Sequence, residues 1–80
     1  MTVLAVFRSR AQALDAISRL KRAGVPARAV ATPQEAGCGC GISAQLDIRF
    51  LARAKCVIRD GRYTSFSGYY KPCGGVYVRC

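Results

Sequence analysis

Val3-Leu4-Ala5-Val6-Phe7 is an unbroken apolar run followed at once by charge. Its β-branched and aromatic content reads as a buried central strand. The apolar period then changes. Ala13, Leu14, Ile17, Leu20 and Ala23 recur at helical spacing, and Ser9 with Gln12 matches the S-x-x-Q capping box, in which each side chain satisfies an orphan backbone N–H at a helix start. Arg19, Lys21 and Arg22 fall in the last turns, where positive charge suits the helix dipole, and Gly24 and Pro26 stop the helix. The spacing predicts a helix over Arg10 to Ala23.

Ala27 to Thr32 reads as a short strand ended by Pro33, and residues 34–41 as a loop. From Ile42 to Ile48 apolar and polar residues alternate, with Ile42, Ala44, Leu46 and Ile48 on one side, which predicts another strand. The next stretch has two readings. Ile48, Leu51, Ala54, Val57 and Ile58 share a helical face, whereas Asp60-Gly61 is also a hairpin signal. A helix from about Arg49 to Arg59, ended by Gly61, is the preferred one. Tyr63 to Lys71 follows as a strand, Pro72-Cys73-Gly74-Gly75 as a turn, and Val76 to Arg79 can add a short edge strand.

Strand, helix, strand, strand, helix, strand is the α+β, ferredoxin-like βαββαβ order, an antiparallel sheet with both helices on one face. At 80 residues the chain is read as one domain, with 71–80 a C-terminal extension bearing Cys73 and Cys80. A domain this short buries roughly 60–65% of its unfolded surface, so any site is expected on a surface loop. No apolar run reaches the ~18–20 residues that span a bilayer, and Met1 to Arg8 is too short and too soon charged for a signal peptide, so a cytoplasmic setting is expected.

Charge changes this picture only a little. The formal net charge is +9, carried mostly by arginines spread along the chain without a dense run. An anionic partner would be attracted, but the spread is that of an arginine-rich composition. Nucleic acid is therefore not expected. Tyr63, Phe66, Tyr69 and Tyr70 could stack on bases, but packing on the sheet is the better reading.

The cysteines matter more. There are five, and no histidine, which rules out mixed Cys/His zinc sites and a Cys–His nucleophile pair. In a reducing compartment such cysteines point to catalysis or metal binding rather than a disulfide framework. Cys56, within a helical pattern, reads as a small core residue. Cys38-Gly39-Cys40-Gly41 is the distinctive feature. In the ferredoxin-like order this loop lies at the end of the sheet where the first strand gives way to the first helix, near Arg8, Ser9 and Arg10, with Arg59 and Arg62 in reach. A helix N-terminus and guanidinium groups both favour thiolate, and Gly39 and Gly41 let a partner approach closely.

Three chemistries could use this loop. One is carriage of sulfur or selenium on a thiolate. Another is thiol–disulfide exchange through a small strained ring. The last is soft-metal binding, for which Cys38 and Cys40 would need Cys73, Cys80 or a second chain to complete a tetrahedral site. Cys73 and Cys80 could equally form a disulfide or have no shared role.

The strand at Val3–Phe7, the Ser9-capped helix, Ala23-Gly24-Val25-Pro26-Ala27-Arg28, Pro33 and Cys40-Gly41-Ile42 together resemble the Se/S carrier protein-like domains of bacteria. The likeness covers residues 2 to about 46, with only the helix–strand order matching beyond. It implies that Cys40, beside Gly41, carries the chalcogen. Cys38 departs from the pattern and makes a dithiol of a single thiol, and the tail with Cys73 and Cys80 looks additional. There is no Cys-Pro dipeptide of the kind that opens a helix in small sulfur-transfer proteins. The resemblance implies a carrier more than a stand-alone enzyme; on this chain's own residues Cys38 would act as a resolving or second carrier thiol, and Arg8 and Arg10, placed beside the loop by the element order, would favour thiolate and attract anionic donors. It would work between donor and acceptor proteins of a sulfur or selenium pathway, with no membrane and no cofactor, and pairing of two chains through a sheet edge stays open.

Overall fold

The computed structural model describes residues 1–36 and 41–80. The elements are β1 (Thr2–Phe7), α1 (Arg10–Arg22), β2 (Ala27–Ala31), a 3-10 turn at Gln34–Ala36, β3 (Ile42–Asp47), a second 3-10 turn at Ile48–Phe50, α2 (Leu51–Gly61), β4 (Phe66–Cys73) and β5 (Val76–Arg79). The strands make one antiparallel sheet in the order β2-β3-β1-β4-β5. This is the ferredoxin-like α+β order with an added C-terminal edge strand.

β1 is central, and from Val3 to Phe7 it is apolar and buried because both its sides are covered. Ala5 and Phe7 pack with Ala13, Ala16, Ile17 and Leu20 of α1 and Ala54 and Ile58 of α2, so both helices lie on one face. Leu4 and Val6 point the other way. On α1 the buried residues are Ala13, Ala16, Ile17 and Leu20, a clean i, i+3, i+4, i+7 set. Leu14, expected in the core, is 44% exposed, because one residue past Ala13 is a turn of about 100° away from that stripe. The capping box is half made. Ser9 Oγ accepts from the Gln12 N–H at 3.3 Å. The Gln12 side chain instead reaches across to the α2–β4 link, accepting from Ser65 N–H at 2.9 Å and Ser65 Oγ at 2.6 Å, and donating to Thr64 Oγ1 at 3.1 Å.

The segment after β3 is helical, not a hairpin. β3 stops at Asp47, whose carboxylate accepts from Arg49 N–H at 3.0 Å and starts the 3-10 turn. Ile48 thus leaves the strand face it was expected to share. α2 runs through Gly61 instead of ending there, and Arg62 takes the left-handed conformation at φ 53. Gly61 serves a different need. A Cβ there would collide with the Tyr63 ring, which lies against the helix end and donates from its hydroxyl to Asp15 on α1 at 2.6 Å. Arg53 donates to Ala23 C=O at the end of α1 at 3.0 Å, tying the two helices together.

β4 begins later than expected, at Phe66, and carries a bulge. Val6 pairs with Gly68 and Phe7 with Phe66, leaving Ser67 over. The extra residue lets Phe66 and Tyr69 both join the helix-side core. The expected four-residue turn is shorter. Pro72 and Cys73 belong to β4, and only Gly74 and Gly75 turn, with φ of 59° and 86°, the signature of a two-residue type I′ hairpin. Pro72 faces Tyr77, and the Tyr77 N–H goes not to β4 but to Glu35 Oε2 at 3.0 Å, so a proline breaks no ladder bond between β4 and β5 there.

Candidate functional site

Of the expected site, Cys38, Gly39 and Cys40 lie outside the described residues. What can be followed is where the flanking residues stand. Ala31 pairs with Ile42, and Thr32 N–H donates to Gly41 C=O at 3.1 Å, so both stems of the β2–β3 connection meet at one end of the sheet. In the β1–β3 register Val6 faces Ser43, which makes this the end where β1 gives way to Arg8, Ser9 and Arg10. Phe7 faces Phe66, so β4 starts there too, and Arg8 N–H donates to Ser65 C=O at 2.8 Å. The topology therefore brings Gly41, Arg8, Arg10, the first turn of α1 and the Arg62–Ser65 link to one end, as the element order predicts. Arg8 and Arg10 are both exposed.

The 3-10 turn before the cysteine segment does something the sequence did not announce. Ala36 is 4% exposed, packed with Leu4 and Val6 on the face away from the helices, with Val30, Tyr70 and Tyr77 around them. Glu35 meanwhile accepts from Tyr77 N–H on the far edge strand, a bond that holds its carboxyl below the ordinary value of 4.5. The Gln34–Ala36 turn thus lies across the open face of the sheet and is fastened to β5. Ser43, fully buried on that side, shares a hydrogen bond of 2.8 Å with Thr32 at the stem. A sequence signal existed in Tyr70 and Tyr77, but which side of the sheet they take depends on pairing.

The other cysteines do not gather. Cys56, expected in the core, is exposed, as are Cys73 and Cys80, and all three are free thiols. Cys56 points outward because Ala54 and Ile58 form the buried stripe of α2. Cys73 faces Val76 beside the turn, while Cys80 N–H donates to Tyr69 C=O at 2.9 Å. Four strand positions thus separate Cys73 from Cys80, about 13 Å at ordinary strand rise, which excludes a disulfide between them. Among the described residues no three metal-ligating side chains come together. No helix there is long and apolar enough to cross a membrane.

The aromatic residues are core members rather than a platform. Phe66 meets Phe7 at 5.3 Å and Tyr69 at 4.9 Å between ring centroids, and Tyr63 meets Phe7 edge-on at 5.5 Å. Tyr70 is on the opposite face. Burial first, then the neighbouring Cys56, pushes the Tyr69 hydroxyl up to about 12. Burial and the bond to Asp15 do the same for Tyr63, again to about 12.

The architecture is thus a ferredoxin-like domain with an added C-terminal edge strand, and the stems of the cysteine-bearing segment meet at the end of the sheet where Arg8 and Arg10 stand. The chain belongs to the family described as Putative Se/S carrier protein-like, whose model matches residues 2–71. The match extends well past residue 46 and stops before β5. Neither the curated proteins nor the solved structures compared with the chain gave a match. Membership of a carrier family implies partner proteins.

Proposed function

We propose that this chain is a small cytoplasmic carrier that takes sulfur or selenium onto Cys40 and hands it on, with Cys38 as the resolving thiol. In the sulfur case the Cys40 thiolate attacks the outer sulfur of a donor persulfide. A Cys40 persulfide forms and the donor leaves as thiolate, with no net oxidation. Delivery reverses this onto an acceptor thiolate. Alternatively, Cys38 thiolate attacks the inner sulfur on Cys40, releasing hydrosulfide and closing a Cys38–Cys40 disulfide. That ring is small and strained, so ordinary thiols reopen it readily.

The observation that carries the reading is the shared end of the sheet. The stems of the Cys38–Cys40 segment meet where α1 begins and where Arg8 and Arg10 stand. A helix N-terminus and two guanidinium groups favour thiolate and attract an anionic donor group. Family membership supports the choice of cargo. A four-sulfur metal centre drawing on both Cys73 and Cys80 finds no support, since the hairpin holds those two apart.

The test is intact mass spectrometry after incubation with a cysteine desulfurase and cysteine, on the wild type and on Cys38→Ser and Cys40→Ser. A reductant-labile gain of one sulfur, lost in Cys40→Ser and longer-lived in Cys38→Ser, is expected. No gain, with ordinary alkylation rates at both thiols, overturns the proposal.

A further inference from the structure

The sheet has five strands and only two helices to cover one face, so its β4–β5 side is left partly open. Beside α2 this leaves a groove of about 420 Å³. Its floor is Ile58, Phe66 and Tyr69, and its wall is Lys55 and Arg59 of α2 with Arg62 just past the helix end. Lys55 and Arg59 stand one turn apart at i and i+4 on the same helix flank, and Arg62 continues the cationic border along the groove. No carboxylate lines it. Two further grooves among the described residues each include one: Asp47 beside Arg28 and Arg49 in the first, Asp60 beside Arg19 and Arg22 in the second. Arg59 approaches Asp60 at 3.7 Å, but both side chains are about three-quarters exposed, and such pairs are weak. Lys55 holds its ammonium 5.7 Å from the Tyr69 ring centre. Arg62 sits at the groove's end in the one left-handed non-glycine conformation among the described residues.

We propose that this groove is a docking site for an acidic peptide segment of a partner protein that carries an apolar side chain between its carboxylates. Charge selects the segment, and the apolar floor selects the anchor. Val78, 37% exposed and opposite Lys71 on β5, extends apolar surface past β4 for a longer contact. Single-stranded nucleic acid fits less well. Base stacking needs free ring faces, whereas Phe66 is packed between Phe7 and Tyr69, and Tyr69 has the Lys55 ammonium over its face. The proposal stands on the groove alone and does not need the cysteine chemistry.

Fluorescence anisotropy of the full chain with a short fluorescein-labelled polyglutamate peptide holding one central leucine tests it. Reversing the three cations with Lys55→Glu, Arg59→Glu and Arg62→Glu together is expected to weaken binding about tenfold or more, since each exposed charge contact contributes about a few-fold. Reversing three exposed arginines elsewhere, Arg22→Glu, Arg28→Glu and Arg49→Glu, should weaken it clearly less. Cys38→Ser with Cys40→Ser should bind like the wild type, so failure of the carrier reading and failure of this one are separable. On the unaltered chain, peptide-induced NMR shifts should centre on residues 55–62 and 66–69, which guards against a misfolded variant. Equal loss in both triple variants, indifference to replacing leucine by glutamate, or tighter binding of an oligothymidylate at the same amides would each overturn the proposal.

Discussion

The two faces of the sheet are covered in different ways. The helix side buries Phe7, Leu20 and Ile58 under two amphipathic helices whose stripes are set by local spacing. The opposite side buries Leu4 and Val6 under Ala36 of a single 3-10 turn, with Tyr70 and Tyr77 packed against them. On one side regular structure supplies the cover. On the other, the connection that leads to the cysteines is itself the cover, and β5 holds it in place. Packing and candidate chemistry are thus coupled on the thin side and separate on the thick one.

Mutations can sharpen or break that contrast. Phe7→Ala should have the largest effect, about 3–5 kcal/mol of unfolding free energy by urea titration. Leu4→Ala, under a shallower cover that can settle, should fall near the low end of the core range, about 2 kcal/mol. Equal losses would mean that the loop side is packed as firmly as the helix side. Next, Gln12→Ala should cost about 1–2 kcal/mol, since it unseats the Ser65 bonds at the α1–β4 corner. Amide exchange at Ser65 should rise with it. No change there would mean the corner is held by packing alone.

Two pH effects are smaller and opposite in sign. The Glu35 carboxyl is held below its ordinary value by Tyr77 N–H, so its contribution is present above about pH 4.5 and is lost as pH falls through the lower folded value. Exchange at the Tyr77 amide should therefore speed up in acid, and Glu35→Gln should flatten that dependence. Dependence unchanged in Glu35→Gln would break the link between loop and β5. Tyr63 and Tyr69 are raised to about 12, so the fold favours their neutral forms. That stability is intact below about pH 10 and disappears as pH rises through 12. Ultraviolet titration should show late-ionising tyrosine, reduced by one in Tyr69→Phe.

Much of this was legible in the chain. The unbroken Val3–Phe7 run, the 3.6-residue period ending at Leu20 and the Gly74-Gly75 pair each point to one local structure, because backbone sterics and a two-sided or one-sided core leave few alternatives. Family likeness was legible in the same first half. Asp60-Gly61 was ambiguous because dipeptide signals ignore what lies beside them. The room Gly61 leaves is for Tyr63, and the left-handed residue is the next one along. Cys56 was misplaced for a related reason. A thiol is compatible with core or surface, and only the phase set by Ala54 and Ile58 turned it outward.

By itself the sequence determined the element order, the antiparallel arrangement that follows from short connections, and the end of the sheet where the Cys38–Cys40 stems, Arg8 and Arg10 meet. Those are consequences of period, capping and chain direction, all short-range. Tertiary structure alone decided that Gln12 braces Ser65, that Ser67 is bulged so that Phe66 and Tyr69 share a face, that Glu35 reaches Tyr77, and that Lys55, Arg59 and Arg62 border an apolar floor. Each joins residues distant in the chain or depends on strand register. No local pattern encodes such a contact before the sheet fixes which faces meet.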